Sequence, residues 1–228
     1  AGHILGAAIV EIWVDEGHGE RKLVFSGDIG ADGTPIMRDA TAVTSADLVL
    51  LESTYGDRLH RPREQTVVEI GEVLDAARGS GGNVIIPAFA VGRSQELLYL
   101  FAKYYEEWGL KRWKVFLDSP MASKVVNVYR RHQKLFDQEG RAQWAPGDDP
   151  FTLPGLRFVD SAEESQALNK HNSGCILIAG SGMCNGGRIR HHLKHNLWRH
   201  GAHVMIVGYQ AHNTLGRQLV DGHSSVRI

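Results

Sequence analysis

The sequence predicts an α/β fold: a mostly parallel sheet flanked by helices, preceded by an antiparallel hairpin. Three observations predict it. From about residue 57 onward, short apolar runs alternate with stretches of helical periodicity, and such β-α alternation builds parallel sheets with helices on their faces. Several of the runs end in small or polar residues, as strands do where they approach a ligand-binding edge. Ahead of them, two β-rich runs are joined by one short polar turn, which reads as a hairpin. The change of texture places a boundary between residues 1–56 and 57–228.

The elements follow in order. "AAIVEIWV" (7–14) reads as a strand, "DEGHGE" as a turn and "RKLVFSGDIG" as a second strand. "ADLVLLEST" (46–54) is short and almost wholly apolar, as expected of a strand buried on both faces. Over residues 63–78, Val67, Ile70, Val73, Leu74 and Ala77 form one helical stripe, stopped by "RGSGG". Strands are then expected in "NVIIPAFA", "WKVFLDSP", "GLRFVD", "GCILIAG" and "AHVMIVGYQ". Helices are expected in "GRSQELLYLFAKYYEEWG", "MASKVVNVYRRHQKLF", the start after "GLRFVD", "GGRIRHHLKHNLWR" and "TLGRQLVDG". Residues 137–158 read as a polar surface excursion containing prolines.

Bulk properties exclude some classes. The 228 residues carry 25 Lys and Arg against 26 Asp and Glu, a net charge of −1. Global charge therefore does not advertise a nucleic-acid partner, although a local basic groove is compatible with it. Two cysteines cannot build a disulfide scaffold, which fits a reduced, cytoplasmic setting. No apolar run approaches the length of a membrane span, so no membrane partner is expected.

Candidate chemistry gathers at the strand ends. His3 is a possible zinc ligand or a terminal histidine without a role. Asp28, between glycines after an apolar run, is suited to bridging metals or to capping a turn. Glu52 ends an apolar strand, where an acid is costly unless it meets a metal, a histidine or backbone donors. Asp118 is similarly placed, but "DSP" also fits an Asx turn. In "VGRSQELL", Arg93 and free N–H groups suit a phosphate, and Ser94 is expected to cap the helix. "GSGMCNGGRIRHHLKH" repeats the arrangement with a glycine-rich turn and a cationic helix, readable as a backbone-phosphate surface or as a solvated polar face. Neither glycine run matches a Walker or dinucleotide fingerprint.

Taken in order, "AGHILGA", "FSGDIG", "LLESTYGDR", "IIPAFAVGRSQELL", "FLDSPMA", "GSGMCNGGRIRHHLKH" and "VMIVGYQAHNTLGRQL" closely resemble the beta-CASP branch of the metallo-β-lactamase superfamily. The nearest likeness is to its bacterial and archaeal RNA-processing exonucleases and to the endonuclease subunit of eukaryotic pre-mRNA 3′-end cleavage. The resemblance spans essentially the whole chain.

That resemblance implies part of a metallo-β-lactamase αββα domain followed by an inserted beta-CASP domain, with RNA threading between the two. His3 matches the lone histidine ligand of the glycine-histidine motif, and Asp28 the aspartate that bridges two zinc ions. Glu52 matches the first acidic motif, which orients a metal-ligand histidine. Arg93 and Ser94 fall in the turn that faces the active-site cleft. Ser181, Gly182 and Met183, with Arg188, His191 and His192 of the following helix, match the turn that meets the RNA backbone.

The chain also departs from the pattern. The upstream HxHxDH motif does not occur in it, and His212 and His223 do not sit in motifs matching the two later histidines. The chain thus resembles the middle of a longer enzyme. The complete protein is expected to hydrolyse RNA phosphodiesters with two zinc ions per active site. The isolated chain is expected to be inactive, since two ligands do not fill a four-coordinate zinc shell. RNA and a homodimeric second copy are the expected partners. Rival readings are a DNA-processing nuclease of the same branch, a non-catalytic RNA-binding or scaffold member of a processing complex, and a metal-free small-molecule enzyme.

Overall fold

The computed structural model describes residues 1–144 and 149–228. The chain divides into two compact units: Ala1–Arg61 with His132–Asp148, and Pro62–Arg131 with Asp149–Ile228.

The first unit holds a three-stranded sheet in the order β1-β2-β3. Strands β1 (Val10–Asp15) and β2 (Glu20–Phe25) form the expected antiparallel hairpin, with Val10 opposite Phe25 and Asp15 opposite Glu20. Asp15 accepts the Gly17 N–H at 2.8 Å and so shapes the turn. Strand β3 (Leu48–Leu50) runs parallel to β2, Leu23 pairing with Leu48. The expectation that β3 is buried on both faces is corrected: Leu48, Val49 and Leu50 are each about half exposed. Three residues of edge strand pair on one side only, and among the described residues no layer covers them.

The segment after His132 clips onto this unit. The Arg38 guanidinium donates from Nε to the Phe136 carbonyl at 3.1 Å and from Nη2 to the Lys134 carbonyl at 2.6 Å. The Asp137 N–H donates to the Ile36 carbonyl at 3.0 Å, and Ile36 and Phe136 are buried. The helix Gln138–Ala142 begins where the Asp137 carboxylate accepts the Gly140 N–H. Part of the excursion expected over residues 137–158, residues 145–148, lies outside the described residues.

The second unit is built on a five-stranded, all-parallel sheet. Its strands are β4 (Val84–Pro87), β5 (Lys114–Asp118), β6 (Leu156–Phe158), β7 (Cys175–Ala179) and β8 (His203–Val204). Their order is β6-β5-β7-β4-β8. All five residues of the central β7 are buried, as a strand flanked on both edges and both faces requires. The expected strand over 202–210 shrinks to two residues because β8 is an edge that pairs with β4 alone.

Helices cover both faces. They are α1 (Arg63–Gly79), α2 (Arg93–Lys103), α3 (Pro120–Arg131), α5 (Ala162–Ala167), α6 (Arg188–Asn196) and α7 (Leu215–Val220), with Gln138–Ala142 of the first unit as α4. On α1 the stripe read from sequence holds, with Ile70, Leu74 and Ala77 buried. Ile189 and Leu193 of α6 and Leu215 of α7 pack with Ile85, Phe116 and Leu177 of the sheet. Burying a side chain of this size stabilises by about 1.5–3 kcal/mol. No helix among the described residues is long and apolar enough to cross a membrane.

Candidate functional site

In the first unit the strand ends bring His3, Asp28 and Glu52 together. Gly2 pairs with Ile29 in an isolated antiparallel bridge, and the Gly30 N–H donates to the Ala1 carbonyl at 2.9 Å. The backbones meet so closely that a Cβ on Gly30 would lie 2.0 Å from the Gly2 carbonyl oxygen. This contact sets His3 beside the residues that follow β2. Its Nε2 stands 4.0 Å from Asp28 Oδ2, and both side chains reach solvent.

Glu52 ties the ends of β2 and β3 to each other. Its Oε1 accepts the Ile29 N–H at 3.2 Å and its Oε2 accepts the Thr54 N–H at 3.0 Å. The Ser26 hydroxyl accepts the Glu52 N–H at 3.0 Å and donates to the Gly27 carbonyl at 2.7 Å. Backbone donors are the main partners that offset the cost of this acid, with His3 nearby. The Thr54 N–H foremost, against the opposing effect of burial and with help from Ile29 and His3, holds its carboxyl below the usual carboxylate range.

An imidazole and a carboxylate converging at an open surface have the donor chemistry that zinc takes. His3 and Asp28 fit two positions of such a shell. Among the described residues no group of three or more His, Cys, Asp or Glu is arranged to hold a metal ion.

In the second unit the turns after β4 and β7 carry the remaining candidates. Ser94 is buried, and its hydroxyl donates to the Phe89 carbonyl at 2.7 Å. It therefore does not cap α2, as the sequence reading expected. Helix α2 starts two residues earlier than that reading requires, at Arg93, with Gly92 as its cap residue at φ +84°. Gln95 closes the turn instead, accepting the Gly92 N–H at 2.8 Å and donating to the Ala90 carbonyl at 3.1 Å. Arg93 is paired with Glu96, which also meets Arg63 at 3.3 Å.

The glycine-rich turn, residues 180–187, folds back on itself. The Ser181 N–H donates to the Gly186 carbonyl at 3.0 Å, and the Gly186 N–H to the Ser181 hydroxyl at 3.3 Å. Two glycines are required by close approach. A Cβ on Gly182 would lie 2.7 Å from the Phe89 ring, and one on Gly187, at φ +75°, would lie 2.4 Å from the Gly180 carbonyl oxygen. Gln210 donates to the Gly182 carbonyl at 2.9 Å, and the Gly216 N–H to the Met183 carbonyl at 3.1 Å. Among the described hydrogen bonds, the N–H groups of Gly182 and Met183 donate to nothing.

Behind this turn lies a buried cluster that sequence reasoning left as an alternative to an Asx turn. Asp118, fully buried at the end of β5, accepts from Arg188 Nη1 at 2.6 Å and from the Ser165 hydroxyl at 2.5 Å, and pairs with His192 Nε2 at 2.5 Å. Arg188 also donates to the carbonyls of Val159 at 2.9 Å and Asp160 at 2.8 Å. Burial pushes the Asp118 carboxyl up, but His192, Ser165 and Arg188 outweigh it and hold the group below the usual carboxylate range. Arg188 and His192, one helical turn apart, thus turn inward to Asp118, His192 through Nε2, while His191 is exposed. The i, i+4 spacing of Arg188 and His192 opposite a strand-end acid is the signal that reveals the cluster; Ser165 had no such signal.

A family model described as the Beta-Casp domain matches residues 94–219. Over its full length the chain is 43% identical to Ribonuclease TTHA0252 of Thermus thermophilus, covering 52% of that protein. It is 32% identical to an RNase J-like protein of Methanocaldococcus jannaschii, again covering all of the chain and 52% of the relative. It is 31% identical to the transcription termination factor FttA of the same organism, covering all of the chain and 36% of the relative. The chain spans about half the length of the first of these relatives, or less for others. With a Beta-Casp domain match over more than half of its length, on a parallel sheet flanked by helices, the chain belongs to the beta-CASP family of metallo-β-lactamase-related nucleases.

Proposed function

We propose that the complete protein containing this chain is a zinc-dependent ribonuclease of RNA processing or decay. The observation that carries the reading is the approach of His3 to Asp28, 4.0 Å apart at an open surface. Relatives named as ribonucleases, at 43% and 32% identity, support RNA as substrate.

In this reading the His3 imidazole and the Asp28 carboxylate would each hold zinc, with the other ligands supplied by residues other than these two. When bound, the two ions supply Lewis-acid stabilisation of the negative charge on the scissile phosphate. The chain's own residues do the positioning. Glu52, ionised at neutral pH, grips the Ile29 N–H and so fixes the backbone beside Asp28. The N–H groups of Gly182 and Met183, the Ser181 hydroxyl and outward-facing His191 meet the RNA backbone. Arg93, less than half exposed and shared with Glu96, adds charge nearby in the sequence of turns. Arg188 and His192 act through Asp118, holding the start of α6 and with it the turn.

The test is cleavage of matched RNA and DNA oligonucleotides by the complete protein, with EDTA and zinc add-back. Zinc-dependent cleavage of RNA is expected, and none by the 228-residue chain alone. Preference for DNA would move the assignment to a DNA-processing nuclease. A complete protein that binds RNA without cutting it would move it to a non-catalytic member.

A further inference from the structure

Beyond His191, the outer face of α6 and the turn that follows it carry chemistry that the proposed function does not use. His191, Lys194 and Trp198 follow one another at helical spacing on one exposed face, with the half-buried His195 beside them. Between them His192, Leu193 and Asn196 are buried, as is Ile189 before them, so the face is fixed by packing. Trp198 is 74% exposed. The Arg199 guanidinium lies 5.4 Å from its ring centroid and donates to the carbonyls of His171 at 2.8 Å and Asn169 at 3.0 Å. Those bonds bring the exposed end of the 3-10 turn Leu168–Lys170, and with it Lys170, to the same region. No carboxylate is paired with Lys194, His191 or His195 among the described ion pairs. Burial foremost, with the nearby Lys194, Arg199, His191 and His192 side chains, pushes the His195 imidazole below its ordinary value.

Unpaired cations beside a held, solvent-facing indole are the two parts of a single-strand nucleic-acid surface: charges for phosphates and a platform for a base. A helix of nine residues rises about 13 Å, room for two or three nucleotides. We infer that the outer face of α6 at His191 and Lys194, with Trp198 in the turn that follows the helix, is a second RNA-binding strip that begins at the glycine-rich turn and ends with a base stacked on Trp198. This rests on RNA being the ligand, and it adds residues that the nuclease reading does not need.

The test measures binding of a fluorescein-labelled A12 RNA and of an abasic RNA of equal length to the complete protein in EDTA, which prevents cutting. Trp198→Ala should weaken A12 binding about tenfold and leave the abasic strand unchanged, and Trp198→Phe should restore most of the loss. Lys194→Ala should weaken both strands and lower the salt dependence of binding by about one counterion. All three substitutions are at the surface, and unchanged thermal melting checks the fold. If the wild type binds A12 but Trp198→Ala and Lys194→Glu bind it equally well, the strip is overturned, the ribonuclease reading stands, and an acidic protein surface becomes its partner. If the wild type neither binds nor cuts RNA, both fall.

Discussion

Gly30 and Gly2 touch backbone to backbone, and that contact sets the distance between His3 and Asp28. A Cβ at position 30 would overlap the Gly2 carbonyl oxygen at 2.0 Å, and both neighbours are main chain with little freedom to yield. Gly30→Ala is therefore expected to break the Gly2–Ile29 bridge, at about 1–3 kcal/mol of local stability. In the complete protein it should lower zinc content and RNA cleavage together, although no ligand is altered. Metal analysis beside a cleavage assay checks this.

Glu52 acts on the same place from the other side. Gln in its place keeps one acceptor oxygen and turns an amide N–H₂ toward a backbone N–H, so one of the bonds to Ile29 and Thr54 is lost. A charge-assisted bond of this kind contributes about 1.5–3 kcal/mol, less here because the site is partly open. Glu52→Gln should reduce cleavage with little change in melting temperature, since the effect is confined to the strand-end loops. Amide exchange at Ile29 and Thr54 should rise.

Asp118 makes the opposite prediction, a global one. Removing it leaves Arg188 with only the Val159 and Asp160 carbonyls and takes the acceptor from His192 Nε2, whose side chain is 1% exposed. Asp118→Ala should cost about 3–5 kcal/mol and lower the melting temperature by many degrees. The pH dependence has a definite sign. Its carboxyl is held below its ordinary value in the folded protein, so its contribution is complete above the unfolded value of about 3.9 and is lost as pH falls through the folded value. Thermal melting below about pH 4 should show a larger loss in wild type than in Asp118→Asn.

The two thiols should be silent. Burial raises Cys175 and Cys184 to about 11, so little thiolate exists at pH 8. A thiol reagent should label neither in native protein and both after unfolding. Labelling of native protein at full stoichiometry would contradict their burial in β7 and in the glycine-rich turn.

Much of this was legible in the chain because local and global signals agree. The apolar run Cys175–Ala179 reads as a strand and is one, and the stripe holding Ile70, Leu74 and Ala77 reads as the inner face of a helix and is buried. Glu52 announced itself as an acid needing partners. Other features were not legible because they depend on distant segments. Whether Leu48–Leu50 is buried depends on what lies over it, not on its composition. Ser94 was read as a cap from its residue type, but the helix starts at Arg93 and the hydroxyl turns back to Phe89. Ser165, 47 residues from Asp118, joins its cluster only through the fold.

The central claim is that His3 and Asp28 are ligands of one metal centre in a ribonuclease. The measurement is zinc stoichiometry and RNA cleavage of the complete protein beside its Asp28→Ala variant. The account predicts that the variant folds, binds less zinc and loses cleavage by several orders of magnitude. A variant that keeps full zinc and cuts RNA at the wild-type rate would contradict it.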